Sequence, residues 1–448
     1  MRTRVQQIRP ESESNSSTSL DVVVVGAGLA GKAASLQLAR AGLKVVCISP
    51  AHATRYPVGE SLDWSAPDLL KDLGLPMDYL IDCRMATWKR HVTLRMRNGC
   101  TEHYIPSTRL AGPPLNLELR TLHLDRFRLD DELLKLTVNA GVELVFDKAV
   151  DVERTGRRIS AVRTASGEIY RAPWFVDASG IGGSLFARQF NLPKIEDGRT
   201  KVAIWTYFPA TDPVQGTTLY VDPSPTEYLG WVWEIPVNPQ TVGVGVVTSG
   251  ELMKAKRDKG LTVDAIYREE LAKFPRFEPL LAARPVGRTD VTSFKCRVYR
   301  GVAGPNWLIC GEAASMVDPV TANGVTAALR HAAEASKLIL KYRDKGKIPL
   351  LARVCYSSRI LHMARFFNSG IEKIVYEPPV RNVIGLQKAG KVYTTPAWSM
   401  NLVYARLKPF GVIRTFLLDC ILGAFRFSAW LFHQVSLMSP DKRNQEPA

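Results

Sequence analysis

The sequence reads as an α/β protein: a parallel-sheet domain interrupted by a second, largely β domain and followed by a helical C-terminal region. Three observations predict this. Asp21 to Ser49 runs as apolar strand, glycine-rich turn, Ala/Leu-rich helix and second apolar strand. From about Thr200 to Ser293, short β-rich runs dominate. From about residue 351 onward the pattern is helical and carries many aromatics.

The N-terminal unit is the most specific. Val22 to Val25 are β-branched throughout, as in a strand buried on both faces. Gly26, Gly28 and Gly31 follow at GxGxxG spacing, placed between a strand and a helix that ends near Gly42. In a βαβ unit these glycines give a tight turn, close backbone approach to a pyrophosphate and close helix–strand packing. The free N–H groups at the helix start suit the phosphates. The second strand of such a Rossmann-like unit ends in Asp or Glu to hold a ribose. Here Ser49 stands at that place, with a hydroxyl that bonds more weakly than a carboxylate.

The 448 residues are enough for two closely joined domains. Seven cysteines lie scattered without a CxxC pair or metal spacing, which suits a reducing compartment and predicts neither disulfide framework nor metal site. With 59 basic and 43 acidic residues the formal charge is +16, without a compact Lys/Arg block. That balance suits an acidic partner or generic surface charge and points to no nucleic-acid site. The polar, Ser-rich start lacks the apolar run of a signal peptide and reads as a disordered tail over 1–19. No stretch offers 18 uncharged apolar residues, so a cytoplasmic protein is expected. Phe410 to Leu437 is apolar but carries Arg414, Asp419 and Arg426, a pattern that allows peripheral membrane contact or a packed helix.

The remaining elements follow in order. A helix is expected over Asp63 to Leu73, after the loop Gly59-Glu60-Ser61. Met85 to Arg97 alternates as one strand, with Thr87, Lys89, His91 and Thr93 on one face. Leu124 to Gly141 reads as an amphipathic helix opening on Asp125-Arg126. Trp174 to Gly180 is a further apolar strand turning on glycine, and Trp307 to Cys310 is a strand ending at Gly311-Glu312. Asp318-Pro319 and Asn323-Gly324 then precede a helix from Val325. The implied domains are 20–199, which also supplies strands to the second domain, a β-sheet substrate domain over 200–300, a return segment over 301–345, and helices over 346–448.

Three motifs in this order carry a family resemblance: GxGxxG, the DASG of Asp177 to Gly180, and the GEAASMVDP of Gly311 to Pro319. The chain resembles FAD-dependent aromatic hydroxylases and their relatives over most of its first 340 residues. The resemblance implies a GR2-type FAD-binding domain with FAD as cofactor. Arg126 falls where that superfamily places an FAD-contacting arginine, and Gly311, Glu312, Asp318, Asn323 and Gly324 fall in its flavin-binding return segment. Within the superfamily, Trp231-Val232-Trp233-Glu234-Ile235-Pro236 matches WxWxIP, the signature of flavin-dependent halogenases, at each specified position. On a strand Trp231 and Trp233 share a face, and the resemblance implies that this wall keeps substrate from the flavin.

The halogenase resemblance further implies one lysine after the GES-type loop that directs the halogen to carbon, and Lys89 stands in that context. Lysine suits the role as a compact donor whose pKa shifts on burial. Periodicity alone leaves Lys89 open to being an exposed strand residue. The implied partners are a separate flavin reductase, a halide ion, and a phenolic or pyrrolic ring, free or held on an acyl carrier protein, as in secondary metabolism. One departure is clear. Tryptophan halogenases carry Glu two positions after the Asp-Pro; here Thr321 stands there. An FAD-dependent monooxygenase or reductase acting on a lipophilic substrate is the rival reading, and a non-catalytic binding protein on this fold is a third.

Overall fold

The computed structural model describes residues 19–378 apart from 51–57, 64, 98, 100, 105–108, 112–116, 119, 211–214 and 223–226, with positions 420, 424, 427, 431 and 434. The first layer is a five-stranded parallel sheet in the order Trp307–Ile309, Trp174–Asp177, Val22–Val25, Val45–Ser49, Glu143–Phe146. Val22–Val25 lies at its centre, buried along its whole length, as its β-branched run requires. The helix Leu29–Arg40 covers one face and packs against the helices Gly324–Tyr342 and Arg126–Asn139. Thus the segment after residue 301 returns to close the first domain.

The second layer is an eight-stranded mixed sheet. Its order is Ser315–Met316, Asp290–Tyr299, Lys194–Pro209, Thr241–Ser249, Trp231–Asn238, Thr217–Val221, Val92–Met96, Thr101–Tyr104. Side-chain alternation splits it into two cores. Val202, Ile204, Val232, Val244 and Val246 pack on one face with Ile266, Phe274 and Phe277. Trp205, Trp231, Trp233 and Ile235 pack on the other with Ile371 and Tyr376. The second face looks toward the helix Leu350–Ile371 and the π-helical turn Glu372–Tyr376 that ends it.

One expected element divides. The alternating run from Met85 to Arg97 is two strands in two sheets, Ala86–Trp88 against Leu122–Leu124 and Val92–Met96 in the large sheet. Between them the backbone is held by Lys89 N–H to Thr121 O, Arg90 N–H to Gln215 O, and Thr217 N–H to His91 O, each 3.0 Å. The alternation continues in phase across this crossing, so sequence periodicity does not reveal it. The helix expected over Asp63 to Leu73 is the shorter Ala66–Asp72. The apolar stretch Phe410 to Leu437 lies, but for isolated positions, outside the described residues. Among the described residues no helix is long and apolar enough to cross a membrane.

Candidate active site

The glycine turn divides its labour by position. Gly26 has φ +98°, and a Cβ there would lie 2.3 Å from the Ala178 carbonyl oxygen on the neighbouring strand's turn. A Cβ on Gly31 would lie 1.7 Å from the Gly26 oxygen, so the helix can approach its own entry turn only through glycine. Gly28 differs: its φ is −71° and a Cβ would meet nothing within 4 Å. It opens the helix Leu29–Arg40, whose first turn has neither a side-chain cap nor an acidic residue. The space beside Gly28 and the uncapped N–H groups fit a pyrophosphate.

A second feature fits the same group. Arg126 donates from Nη1 to the Val58 carbonyl at 2.6 Å and from Nη2 to Asp130 at 3.1 Å. Its buried Nε has no partner among the described residues. An orphaned buried guanidinium N–H suits an FAD acceptor oxygen, and Asp130 joins Arg126 to Lys32 on the glycine-turn helix. Asp130 also accepts from the buried Lys32 at 3.1 Å. Burial opposes its charge, but Arg126 and Lys32 overcome it and hold the carboxyl below its ordinary range. Ser49 ends its strand half-buried opposite Phe146. Gly311, with φ +61°, packs against Ala30 of the glycine-turn helix, and Glu312 follows it half-buried. Asn323 is buried at the start of the helix Gly324–Tyr342, and a Cβ on Gly324 would meet nothing within 4 Å. Ala322, just before, takes the left-handed conformation at φ 55°.

Lys89 lies in the crossing between the two sheets and is 6% exposed. Its Nζ donates to the Leu62 carbonyl at 2.8 Å, its one hydrogen-bond acceptor among the described residues. Burial lowers its pKa to about 8, partly offset by the charge of Asp63. Around it sits a set of polar side chains of which the sequence pattern named only Ser61 and Thr87. Ser61, Thr217, His123 and Thr87 are linked by hydrogen bonds of 2.9–3.3 Å, with Thr87 also donating to the Pro236 carbonyl at 2.6 Å, while the Thr121 hydroxyl donates to the Asp63 carbonyl at 2.8 Å. Pro236 ends the WxWxIP motif, so the signature strand is tied directly to the residue two before Lys89.

Trp231 and Trp233 lie on one face of their strand, as alternation predicts, with ring centroids 5.6 Å apart. A Cβ on Gly245, opposite Trp233, would lie 2.1 Å from the indole, so glycine there makes room for the ring. Trp231 Nε1 donates to the Tyr376 hydroxyl at 2.9 Å, and that hydroxyl donates to Asp318 Oδ1 at 3.0 Å. Asp318 therefore spends its carboxylate on the protein. It also meets Lys201 at 3.2 Å, and Lys201 meets Glu372 at 2.8 Å. Burial works against the Lys201 charge, and Asp318 and Glu372 overcome it, holding the ammonium above its ordinary range. Tyr376, Lys201 and Glu372 carried no motif, and only the fold brings residue 201 beside 318 and 372.

A family profile described as tryptophan halogenase matches residues 114–351, and one described as lycopene cyclase protein matches residues 21–194. The chain is 28% identical over 380 residues to a tryptophan 2-halogenase from Chondromyces crocatus, covering 80% of this chain and 70% of that protein. It is 29% identical over 332 residues to a menaquinone reductase from Mycolicibacterium smegmatis, covering 72% of this chain and 76% of that protein. Two flavin-dependent halogenase relatives are spanned over 64% and 63% of their lengths. Among solved structures, halogenase PltM in complex with phloroglucinol and FAD aligns with a TM-score of 0.71 at 16% identity, over 94% of this chain and 92% of that one. At that identity the likeness shows the shared fold.

Proposed function

The chain belongs to the tryptophan halogenase family, flavin-dependent enzymes with FAD as cofactor, and we propose that it installs chlorine or bromine on an electron-rich aromatic ring. The observation that carries this reading is Lys89, a buried ammonium with one acceptor among the described residues, on a segment hydrogen-bonded to the strand that presents Trp231 and Trp233. A structural lysine so buried would be matched by a carboxylate, as Lys201 is by Asp318 and Glu372. Among the described residues Lys89 meets no carboxylate at ion-pair distance, although the charge of Asp63 reaches it, and so has donors for something else.

FAD would be held by Gly26, Gly28 and Gly31 with Arg126, with Ser49, Gly311, Glu312, Asn323 and Gly324 around it. When bound, reduced FAD with oxygen supplies the oxidation that turns halide into hypohalous acid. Near neutral pH the Lys89 ammonium donates Nζ–H to the oxygen of that acid, fixing the halogen and polarising its bond. The ring carbon takes the halogen and loses its proton, and the hydroxide that departs leaves as water. The packed indoles of Trp231 and Trp233 hold substrate on the Lys89 side. Thr321 occupies the place of the family's acidic residue, so a phenol or pyrrole, already activated, is the substrate class this site fits best. Such a ring could be free or carrier-bound, and reduced FAD comes from a separate reductase.

A second reading is an FAD-dependent monooxygenase or reductase acting on a lipophilic substrate, and the likeness to the menaquinone reductase favours its reductase form. The two separate in one assay. Reduced FAD, oxygen, chloride or bromide and a panel of phenols and pyrroles should give product with the halogen isotope pattern. Hydroxylated product alone, or no halogenated product across the panel, would discard the halogenase reading.

A further inference from the structure

The hydrogen bonds around His123 have only one consistent direction. Thr87 has a single hydroxyl hydrogen, and it goes to the Pro236 carbonyl at 2.6 Å, which can only accept. The Thr87 oxygen therefore accepts from His123 Nδ1 at 3.3 Å, so Nδ1 carries the proton. The ring is wholly buried, and its burial, with Lys89 and His91 nearby, holds it well below the ordinary histidine range. It is thus neutral, and Nε2 accepts from the Thr217 hydroxyl at 3.0 Å. With its hydrogen spent, Thr217 accepts from Ser61 at 2.9 Å. The whole chain runs one way, from Ser61 through Thr217, His123 and Thr87 to Pro236.

Both ends of that chain bear on Lys89. Ser61 precedes Leu62, whose carbonyl holds the Lys89 ammonium at 2.8 Å. The Leu62 N–H is itself bonded to Leu122 O at 3.1 Å, and Lys89 N–H to Thr121 O at 3.0 Å. At the other end, Thr87 lies on the strand Ala86–Trp88, which Lys89 directly follows, and Pro236 on the strand of the two tryptophans. Flanking Leu122 and Leu124 are fully buried in the first domain's core, so His123 projects from the opposite face of its strand.

We propose that His123 is a positioning residue for Lys89: as its Nδ1–H tautomer it links the loop that holds the Lys89 ammonium to the strand that carries the tryptophan wall. It touches neither reacting atom. Its effect on product rests on the halogenase reading above; its effect on the resting site does not.

The test compares His123→Leu, which breaks the chain at both nitrogens, with His123→Gln, whose amide offers one donor and one acceptor. FAD retention serves as the folding control. Halogenated product per flavin oxidised should fall about tenfold or more in the leucine variant, the scale of a modest misplacement of one catalytic group. The glutamine variant should recover most of it. Wild-type yield in the leucine variant would overturn the proposal, as would a glutamine variant that retains FAD yet fails equally. Two measurements need no turnover. Carbon and nitrogen signals of labelled histidine should report His123 as the Nδ1–H tautomer, untitrated from pH 6 to 9; the other tautomer, or a midpoint near about 6.5, would overturn it. The Lys89 ε-carbon titration should move in the leucine variant and return in the glutamine one, and an unmoved midpoint counts against the proposal. If wild type makes no halogenated product, the halogenase reading falls while these signals still decide the role of His123.

Discussion

Trp231 Nε1 and the Tyr376 hydroxyl are 2.9 Å apart, and through that hydroxyl the tryptophan wall is joined to Asp318 at the turn leading into the helix Gly324–Tyr342. Tyr376 is fully buried, and burial, reinforced by Asp318, keeps its hydroxyl protonated. The C-terminal helix thereby enters the site, although Tyr376 is 145 residues from Trp231. Tyr376→Phe keeps the ring and strands the buried Trp231 N–H, while Asp318 keeps the Val320 N–H and Lys201. It should destabilise the protein by about 1–3 kcal/mol, measured by urea unfolding, whereas unchanged stability would mean water replaces the hydroxyl.

Gly28 permits an unusually clean test of the cofactor site. Its φ is ordinary and nothing stands within 4 Å of a Cβ, so Gly28→Val should fold normally and lose FAD affinity by about tenfold or more. Gly31→Ala, with a Cβ 1.7 Å from the Gly26 oxygen, should instead destabilise the domain by about 1–3 kcal/mol or more. FAD titration and thermal unfolding on the same two variants separate the effects. Retained affinity in a folded Gly28→Val protein would move the pyrophosphate elsewhere.

The burial of Lys89 predicts a pH dependence independent of activity. Its folded pKa is about 8 against 10.5 for an ordinary lysine. Between those values the unfolded chain binds more protons than the folded one, so stability from this group rises with pH. Against a Lys89→Met reference, wild type should gain about 2 kcal/mol between roughly pH 7.5 and 9.5. The reference cancels the opposite trend expected at higher pH from Lys201 and buried Tyr207, whose folded pKa values are raised. Parallel pH profiles for the two proteins would show that Lys89 is solvated.

The local features of this site were legible in the sequence, and the long-range ones were not. Gly26, Gly28 and Gly31 are named by spacing, and the shared face of Trp231 and Trp233 follows from strand alternation. Lys89 was recognisable only by resemblance, because alternation placed it on a polar face, while the chain crosses between sheets at that residue. His123 sits between two core leucines and looks like one polar residue of a short strand. Its ring is bonded to Thr87 and Thr217, and Ser61 joins through Thr217, so the chain is drawn from separate parts of the sequence. Lys201, Glu372 and Tyr376 are likewise assembled only by packing the C-terminal helix on the large sheet.

In the proposed reaction Lys89 delivers the halogen, and one ratio tests that role: halogenated product per flavin oxidised, read by isotope pattern in wild type, Lys89→Ala and Lys89→Arg. Loss of one positioned catalytic group predicts a fall of about a hundredfold or more in the alanine variant. Arginine should fail as well, because its broader guanidinium does not fit a site built around a compact ammonium. A Lys89→Ala protein that halogenates at close to the wild-type ratio would show that Lys89 does not deliver the halogen.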